Sequence, residues 1–289
     1  MMTNGMAAAL HVGVPKGRMW DGVARLLDDA GLSLKLGVRQ YRPSVYGMSV
    51  KILKPQNIVQ MLDAGSRDIG FAGADWVVES RADLVELLDL GLDPVRLVVA
   101  APNELLVEGR LPERKLVIAS EYQEISREWI ARRGIDATLV RSWGATEVFP
   151  PEDADAIIDN TATGATLTAN GLEVVEVLMT STTRLYAHPA ALEDPDKRER
   201  IEDFTLLLRS VLDARRRVML EVNITGERLA ELVAVLPAMR EPTVSPLHGN
   251  GSFAVKVAAP RDQLPRLIPL IKAHGGTDLV ISSISQLVP

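Results

Sequence analysis

Cysteine is absent from the 289 residues, which excludes a disulfide framework, thiolate zinc centres and cysteine nucleophiles. Histidine is scarce: His11, His188, His248 and His274 stand far apart without metal-ligand spacing. Each reads as a surface or satisfied structural histidine rather than a catalytic base. A basic excess is also missing. The formal net charge is -6, so there is no electrostatic footprint for nucleic acid, and an anionic substrate must be held by local donors. No apolar run approaches the ~20 residues that cross a bilayer. Met1 to Leu10 has neither a charged leader nor a long apolar region, so no signal peptide, no membrane partner and a cytoplasmic location are expected.

What remains is ordinary globular material, 47% hydrophobic and 24% charged, in a chain long enough for more than one domain. The stretch with most chemical content runs from Asp155 to Leu172. Ala156, Ile157 and Ile158 form a short apolar run that delivers Asp159. Thr161, Ala162, Thr163, Gly164, Ala165 and Thr166 then lead into a short helix expected near Ala165 to Ala169. A buried strand, a carboxylate and a loop of small hydroxyl-bearing residues at a helix start suit a bound phosphate. Gly164 permits close backbone approach, and the threonines add donors. A turn that merely caps a helix explains the same residues equally well.

Other segments share this strand-to-helix pattern. Leu10 to Val14 is a strand that ends in Pro15-Lys16-Gly17-Arg18, two cations and a glycine where an anion site or a solvated turn would serve. Met48 to Leu53 precedes a helix that opens at Pro55. Asp68 to Asp75 is a strand broken by Gly70 and Gly73, which suit either a flat ligand such as a nucleobase or close packing by a helix. Leu84 to Leu90 and Val95 to Ala101 read as two strands, as do Glu173 to Leu178 and Thr183 to Ala187. Between them lie strands at Leu116 to Ala119 and Ala137 to Val140 and a helix from Glu124 to Arg133. A long amphipathic helix is expected from Asp194 to Arg215. Beyond it the order is β-α-β-β-α-β, a ferredoxin-like unit with no visible catalytic constellation.

Several of these segments together resemble the long form of the ATP phosphoribosyltransferase family, the first enzymes of histidine biosynthesis. They are Pro15 to Arg18, Asp68 to Asp75, Leu87 to Gly91, Asp159 to Leu172, Arg184 to Leu192 and Glu241 to Leu247. The resemblance implies an α/β fold with a two-domain core like type II periplasmic binding proteins, plus a C-terminal ferredoxin-like (ACT-like) domain. Its implied boundaries are 1–98 with 185–215, then 99–184, then 216–289. It implies transfer of the 5-phosphoribosyl group of phosphoribosyl diphosphate to N1 of ATP, with Mg²⁺ and release of diphosphate. It also implies feedback inhibition by histidine and assembly from dimer to hexamer.

Roles follow residue by residue from the resemblance. Asp159, Glu147 and Lys16 would serve catalysis, and Asp159 with Thr161, Ala162, Thr163, Gly164, Ala165 and Thr166 would bind phosphoribosyl diphosphate. Arg18, Gly73 and Asp75 would meet ATP. Asn223, Thr243 and Asp278 would meet histidine, although Asn223 stands where some members carry aspartate and Asp278 where a small residue is usual. The segment between Glu147 and Asp159 is shortened relative to many members. A solute-binding protein of the periplasmic type and a non-catalytic regulatory paralogue are the competing readings, the second of which would need the intact Thr/Gly loop to be lost.

Overall fold

In the computed structural model, which describes residues 9–34, 41–45, 47–249 and 251–289, the apolar runs become parallel strands buried on both faces, as their lack of alternation requires. Of the segment Met1 to Leu10, residues 1–8 lie outside the described residues. The chain begins with β1 (Leu10–Pro15), α1 (Trp20–Asp29), β2 (Ser44–Val45), β3 (Met48–Leu53), α2 (Pro55–Asp63), β4 (Ile69–Gly73) and α3 (Ala74–Ser80). Strand β1 pairs in parallel with both β3 and β4, and every residue of β4 is buried. Pro55 occupies the first turn of α2, where its missing N–H costs nothing. The glycines on these strands make room for that helix: a Cβ at Gly70 would lie 2.6 Å from Ile58 Cγ2, and one at Gly13 2.9 Å from the same atom. Helix packing therefore explains Gly70.

Next come β5 (Val85–Pro102), β6 (Leu116–Ser120), α4 (Gln123–Arg133), β7 (Ala137–Arg141), β8 (Ala156–Thr161), α5 (Ala165–Ala169) and β9 (Leu172–Ala187). All nine strands form one sheet in the order β2-β3-β1-β4-β9-β5-β8-β6-β7. The two strands expected between Leu84 and Ala101 are one long strand, and so are the two expected between Glu173 and Ala187. The apparent breaks are irregularities rather than ends: the β5–β9 register shifts repeatedly between Glu86 and Val95, where Gly91 and Asp93 have φ of 63° and 48°.

This pair carries the architecture. The Ile69–Gly73 strand joins β9 only at Thr183 to Ala187, while β8 joins β5 only at Arg96 to Ala100. Two α/β lobes thus hang on opposite ends of the same antiparallel pair. One has a core around Ile58, Leu62 and Ala72; the other packs Leu97, Ile118, Tyr122 and Ile158 on one side of the sheet.

The chain continues through α6 (Pro189–Glu193) and α7 (Pro195–Arg215), the second beginning one residue later than expected. It ends with β10 (Arg217–Thr225), α8 (Gly226–Val235), β11 (Thr243–Pro246), β12 (Ser252–Pro260), α9 (Leu264–Ala273) and β13 (Thr277–Ser283). These last strands make an antiparallel sheet in the order β11-β12-β10-β13, the expected ferredoxin-like arrangement. Val218, Leu220, Val222 and Ile224 alternate into a core with Leu232, Leu267 and Ile271. By contacts the chain divides into two compact units, one ending at Arg25 and resuming from Leu34 to Glu202, the other comprising Leu26–Ser33 and Asp203–Pro289. No helix among the described residues is long and apolar enough to cross a membrane.

Because Ile58 Cγ2 fills the space beside Gly70, Gly70→Ala should destabilise the protein by about 1–3 kcal/mol through overpacking. In urea unfolding, Gly70→Ala/Ile58→Ala should be more stable than the sum of the two single losses allows; strict additivity would show that these side chains do not share the space.

Candidate functional site

The carboxyl ends of β1, β6 and β8 open onto one pocket of about 420 Å³, lined by Arg18, Val95, Glu121, Gly144, Thr146, Glu147, Asp159, Asn160, Thr161, Ala162, Thr163, Ala165, Thr166 and Leu167. Ligands of open α/β sheets gather at such strand ends because adjoining loops diverge there. The stretch from Asp159 to Thr166 supplies half of the wall. Buried Leu167 anchors the far end of the loop.

The loop's shape follows from two hydroxyls and one glycine. Thr161 Oγ1 accepts the Gly164 N–H at 3.0 Å, and Thr163 Oγ1 accepts the Ala165 N–H at 3.3 Å. Gly164 takes φ 84° immediately before α5, and a Cβ placed there would have no neighbour within 4 Å. Glycine is therefore needed for its backbone conformation rather than for space. The first turn of any helix leaves N–H groups without helical partners, and α5 presents that turn to the pocket through Ala165 and Thr166.

Electrostatically the pocket is acidic on one side. Asp159 has its carboxyl pushed up to about 6, chiefly by burial, with Glu121 and Glu147 raising it further and hydrogen bonds from the Asn160 backbone and the Thr146 side chain opposing. The Asn160 N–H reaches Asp159 Oδ1 at 2.7 Å, and Thr146 is itself tied to Ser142 at 2.8 Å. Glu147 rides on a short 3-10 turn, Thr146–Val148, entered through Ala145 at φ 49°. Arg18 brings positive charge to the opposite wall, with Nη1 donating to the Asp93 carbonyl at 3.3 Å.

Of the residues singled out in the sequence, Asp159, Glu147, Arg18 and the Thr/Gly loop converge on this pocket. Lys16 is exposed at the end of β1 and outside its lining. Asp75 is buried, its carboxylate held by the hydroxyls of Ser181 and Tyr122, each at 2.6 Å. A Cβ at Gly73 would meet Asp75 Oδ1 at 2.1 Å, so Gly73 makes room for that carboxylate. In the C-terminal unit, Asn223 Nδ2 donates to Asp278 Oδ2 at 3.0 Å. Thr243 lies two strands away, pairing with Lys256, whose ammonium is bound to Glu221 at 2.7 Å.

Sequence reasoning missed Glu121, Thr146 and Asn160. Glu121 was findable as the residue just past a buried parallel strand, and Asn160 as the neighbour of Asp159; nothing local marks Thr146. A second pocket of about 330 Å³ shares Glu121 with the first and is lined by Lys54, Gln56, Asn57, Gln60, Trp76, Arg141, Ser142 and Trp143. Arg141 lies 4.2 Å over the Trp143 ring, and Gln56 Oε1 is buried without a partner.

Residues 54–210 match the family model described as HisG, ATP phosphoribosyltransferase. The chain belongs to the ATP phosphoribosyltransferase family. Residues 214–286 match the HisG C-terminal domain. An ATP phosphoribosyltransferase of Pelotomaculum thermopropionicum is 36% identical over 287 residues, covering 97% of this chain and 99% of the relative. One from Chlorobaculum parvum is 35% identical over 286 residues, covering 96% and 97%. In fold, the chain is similar to a solved ATP phosphoribosyl transferase (HisG:HisZ) complex from Thermotoga maritima, with TM-score 0.64, 24% identity, and coverage of 71% of this chain and 98% of that one. The expected α/β architecture with its separate C-terminal unit is thus the family's, and the pocket at the β8–α5 loop lies within the residues matched by the phosphoribosyltransferase model.

Burial raises Asp159 above its unfolded value, so the folded state binds its proton more tightly, and stability falls as pH rises from about 4 through 6. Asp159→Asn keeps an acceptor for the Asn160 N–H but cannot ionise. Its melting temperature should match the parent's near pH 3.5 and exceed it by roughly 2–6 °C at pH 7.5; an unchanged difference across that range would show that Asp159 is not perturbed.

Proposed function

We propose that this pocket binds phosphoribosyl diphosphate and that the enzyme, a pentosyltransferase, moves its 5-phosphoribosyl group to N1 of ATP, releasing diphosphate, as the first step of histidine biosynthesis. The observation that carries this reading is the loop from Thr161 to Thr166, with its left-handed glycine and its hydroxyls, opening onto a carboxylate-bearing pocket. The 5-phosphate lies against the backbone and hydroxyls of Thr161, Ala162, Thr163, Gly164, Ala165 and Thr166. Thr161 Oγ1 accepts the Gly164 N–H and Thr163 Oγ1 the Ala165 N–H; these two bonds set the loop's curvature and leave the threonine hydroxyl protons and the Thr166 backbone as the direct donors. Asp159 accepts hydrogen bonds from the ribose hydroxyls.

The bond that breaks joins the anomeric carbon to a diphosphate oxygen, and the bond that forms joins that carbon to N1 of adenine. Positive charge develops on the sugar and negative charge on the leaving group. Asp159, with Glu147 and Glu121 behind it, stabilises the sugar's charge; Arg18, with Lys16 at the rim, meets phosphate oxygens of the diphosphate or of ATP. No strong base is required, because N1 attacks through its own lone pair. The purine occupies the adjoining pocket, where Trp76 offers a flat face, and Gly73 and Asp75 border the nucleotide at one remove by holding α3 in place.

The three acidic side chains of the pocket would repel a diphosphate, and this argues for a divalent cation. Among the described residues no group of three or more His, Asp or Glu side chains is arranged as a closed metal site. The donors therefore fit a hard ion that keeps most of its ligands on substrate and water, contributing one or two carboxylates from Asp159, Glu147 or Glu121. Mg²⁺ is the ion proposed, and when bound it neutralises charge on the departing diphosphate. Histidine as inhibitor, meeting Asn223, Thr243 and Asp278, and self-assembly from dimer to hexamer complete the reading.

Incubating the protein with ATP, phosphoribosyl diphosphate and Mg²⁺ should produce the ultraviolet change of N1-ribosylated adenine, dependent on all three; no change with any divalent ion would overturn the reading. Gly164→Val forces a β-branched residue into φ 84° and should raise KM for phosphoribosyl diphosphate about tenfold or more, while the melting temperature falls only a few degrees.

A further inference from the structure

The two lobes of the nine-stranded unit meet through a buried polar contact that the transfer chemistry does not itself require. Asp75 lies in the first turn of α3 in one lobe and is 4% exposed. Tyr122, fully buried ahead of α4 in the other, donates its hydroxyl proton to Asp75 Oδ2 at 2.6 Å. The Tyr122 hydroxyl oxygen in turn accepts from Asn160 Nδ2 at 2.8 Å. Ser181, on β9, donates to Asp75 Oδ1 at 2.6 Å and accepts the Asp75 N–H at 3.1 Å. Trp76 stacks on the Tyr122 ring with centroids 4.5 Å apart. Asn160 is the residue between Asp159 and Thr161, and it lines the pocket.

We propose that Tyr122 is a positioning residue: by linking Asn160 to Asp75, its hydroxyl holds the end of β8, and so Asp159 and the Thr161 to Thr166 loop, in register with the α3 lobe. The inference rests on the phosphoribosyl reading of that loop. A carboxylate with directional donors fixes a separation between surfaces that apolar packing leaves free to slide, and transfer between two substrates is sensitive to displacements of about an ångström. The contact is polar yet complete, since Asp75 has a hydroxyl on each oxygen and Tyr122 both donates and accepts.

Tyr122→Phe removes one oxygen and keeps the ring on Trp76. Wild-type protein should bind phosphoribosyl diphosphate in a calorimeter, and the variant's Kd and KM for it should rise about tenfold, with KM for ATP within about twofold of wild type. Asp75→Asn can accept from Tyr122 through Oδ1 and donate to Ser181 through Nδ2, so it should retain affinity that Asp75→Ala loses. Ser181→Ala, which frees only the second carboxylate oxygen, should give a smaller rise of about threefold and serves if Tyr122→Phe does not fold. Arg81, whose exposed ion pairs with Glu124 and Glu128 span the same lobes, provides the control: Arg81→Ala should leave the constants unchanged. Absence of binding by wild type would remove the phosphoribosyl reading and this inference with it. Wild-type constants in Tyr122→Phe or Ser181→Ala, or an equal loss in Arg81→Ala, would overturn the positioning role alone.

Discussion

The hydrogen bonding between β5 and β9 is the constraint on which the rest depends. Each strand runs through both lobes, and their pairing extends from Val85 opposite Ala187 to Pro102 opposite Leu172. Sheet order then places the ends of β1, β6 and β8 around common ground, although the sequence separates Arg18 from Asp159 by most of the first unit. The pairing is irregular where the strands pass between lobes. A regular ladder would resist twist about that point, whereas a bulged one leaves fewer bonds to strain. The site therefore sits beside the part of the sheet where the β5–β9 ladder is least regular.

The second constraint is electrical. The pocket proposed for a multiply charged substrate carries Asp159, Glu121 and Glu147 together, and their mutual repulsion contributes to the raised carboxyl of Asp159. Such an arrangement destabilises the empty fold near neutral pH. It becomes sensible when the reacting centre itself turns positive, since the carboxylates are already in place and need no reorganisation. In the proposed reading the loop around Gly164 meets the opposite charge with neutral donors, so the two ends of a sugar phosphate would be distinguished by chemistry rather than by shape alone.

Much of this was legible in the chain. Short apolar runs and amphipathic helices located most elements, and the C-terminal β-α-β-β-α-β order carried through to the sheet. The Thr/Gly stretch could be singled out because hydroxyl spacing and a glycine before a helix are local properties, although a simple capping turn explained it as well. What escaped was non-local. Gly91 and Asp93 look like a chain break, yet the partner strand holds the segment extended across them. Glu121 and Thr146 enter the pocket only once β6, β7 and β8 are side by side. Gly70 and Gly73 were ambiguous because a glycine records that space is short without recording what fills it; here Ile58 fills one space and the Asp75 carboxylate the other.

Asp75 shows most clearly why residue type alone could not assign a role. An aspartate after a glycine at a strand end suits a ligand-binding surface, and the same placement gives it the N-terminus of α3, where a negative charge is favoured. The structure spends that charge internally. Two hydroxyls, from Tyr122 and Ser181, satisfy the two oxygens of this buried carboxylate. Glu79, one turn further along α3, accepts the backbone N–H groups of Glu124 and Ile125 at 3.1 Å and so caps α4 of the facing lobe. One face of a seven-residue helix thus supplies two acidic anchors to its neighbour, each matched to donors that only the folded lobe presents. A misaligned docking of the lobes would leave both carboxylates desolvated and unpaired.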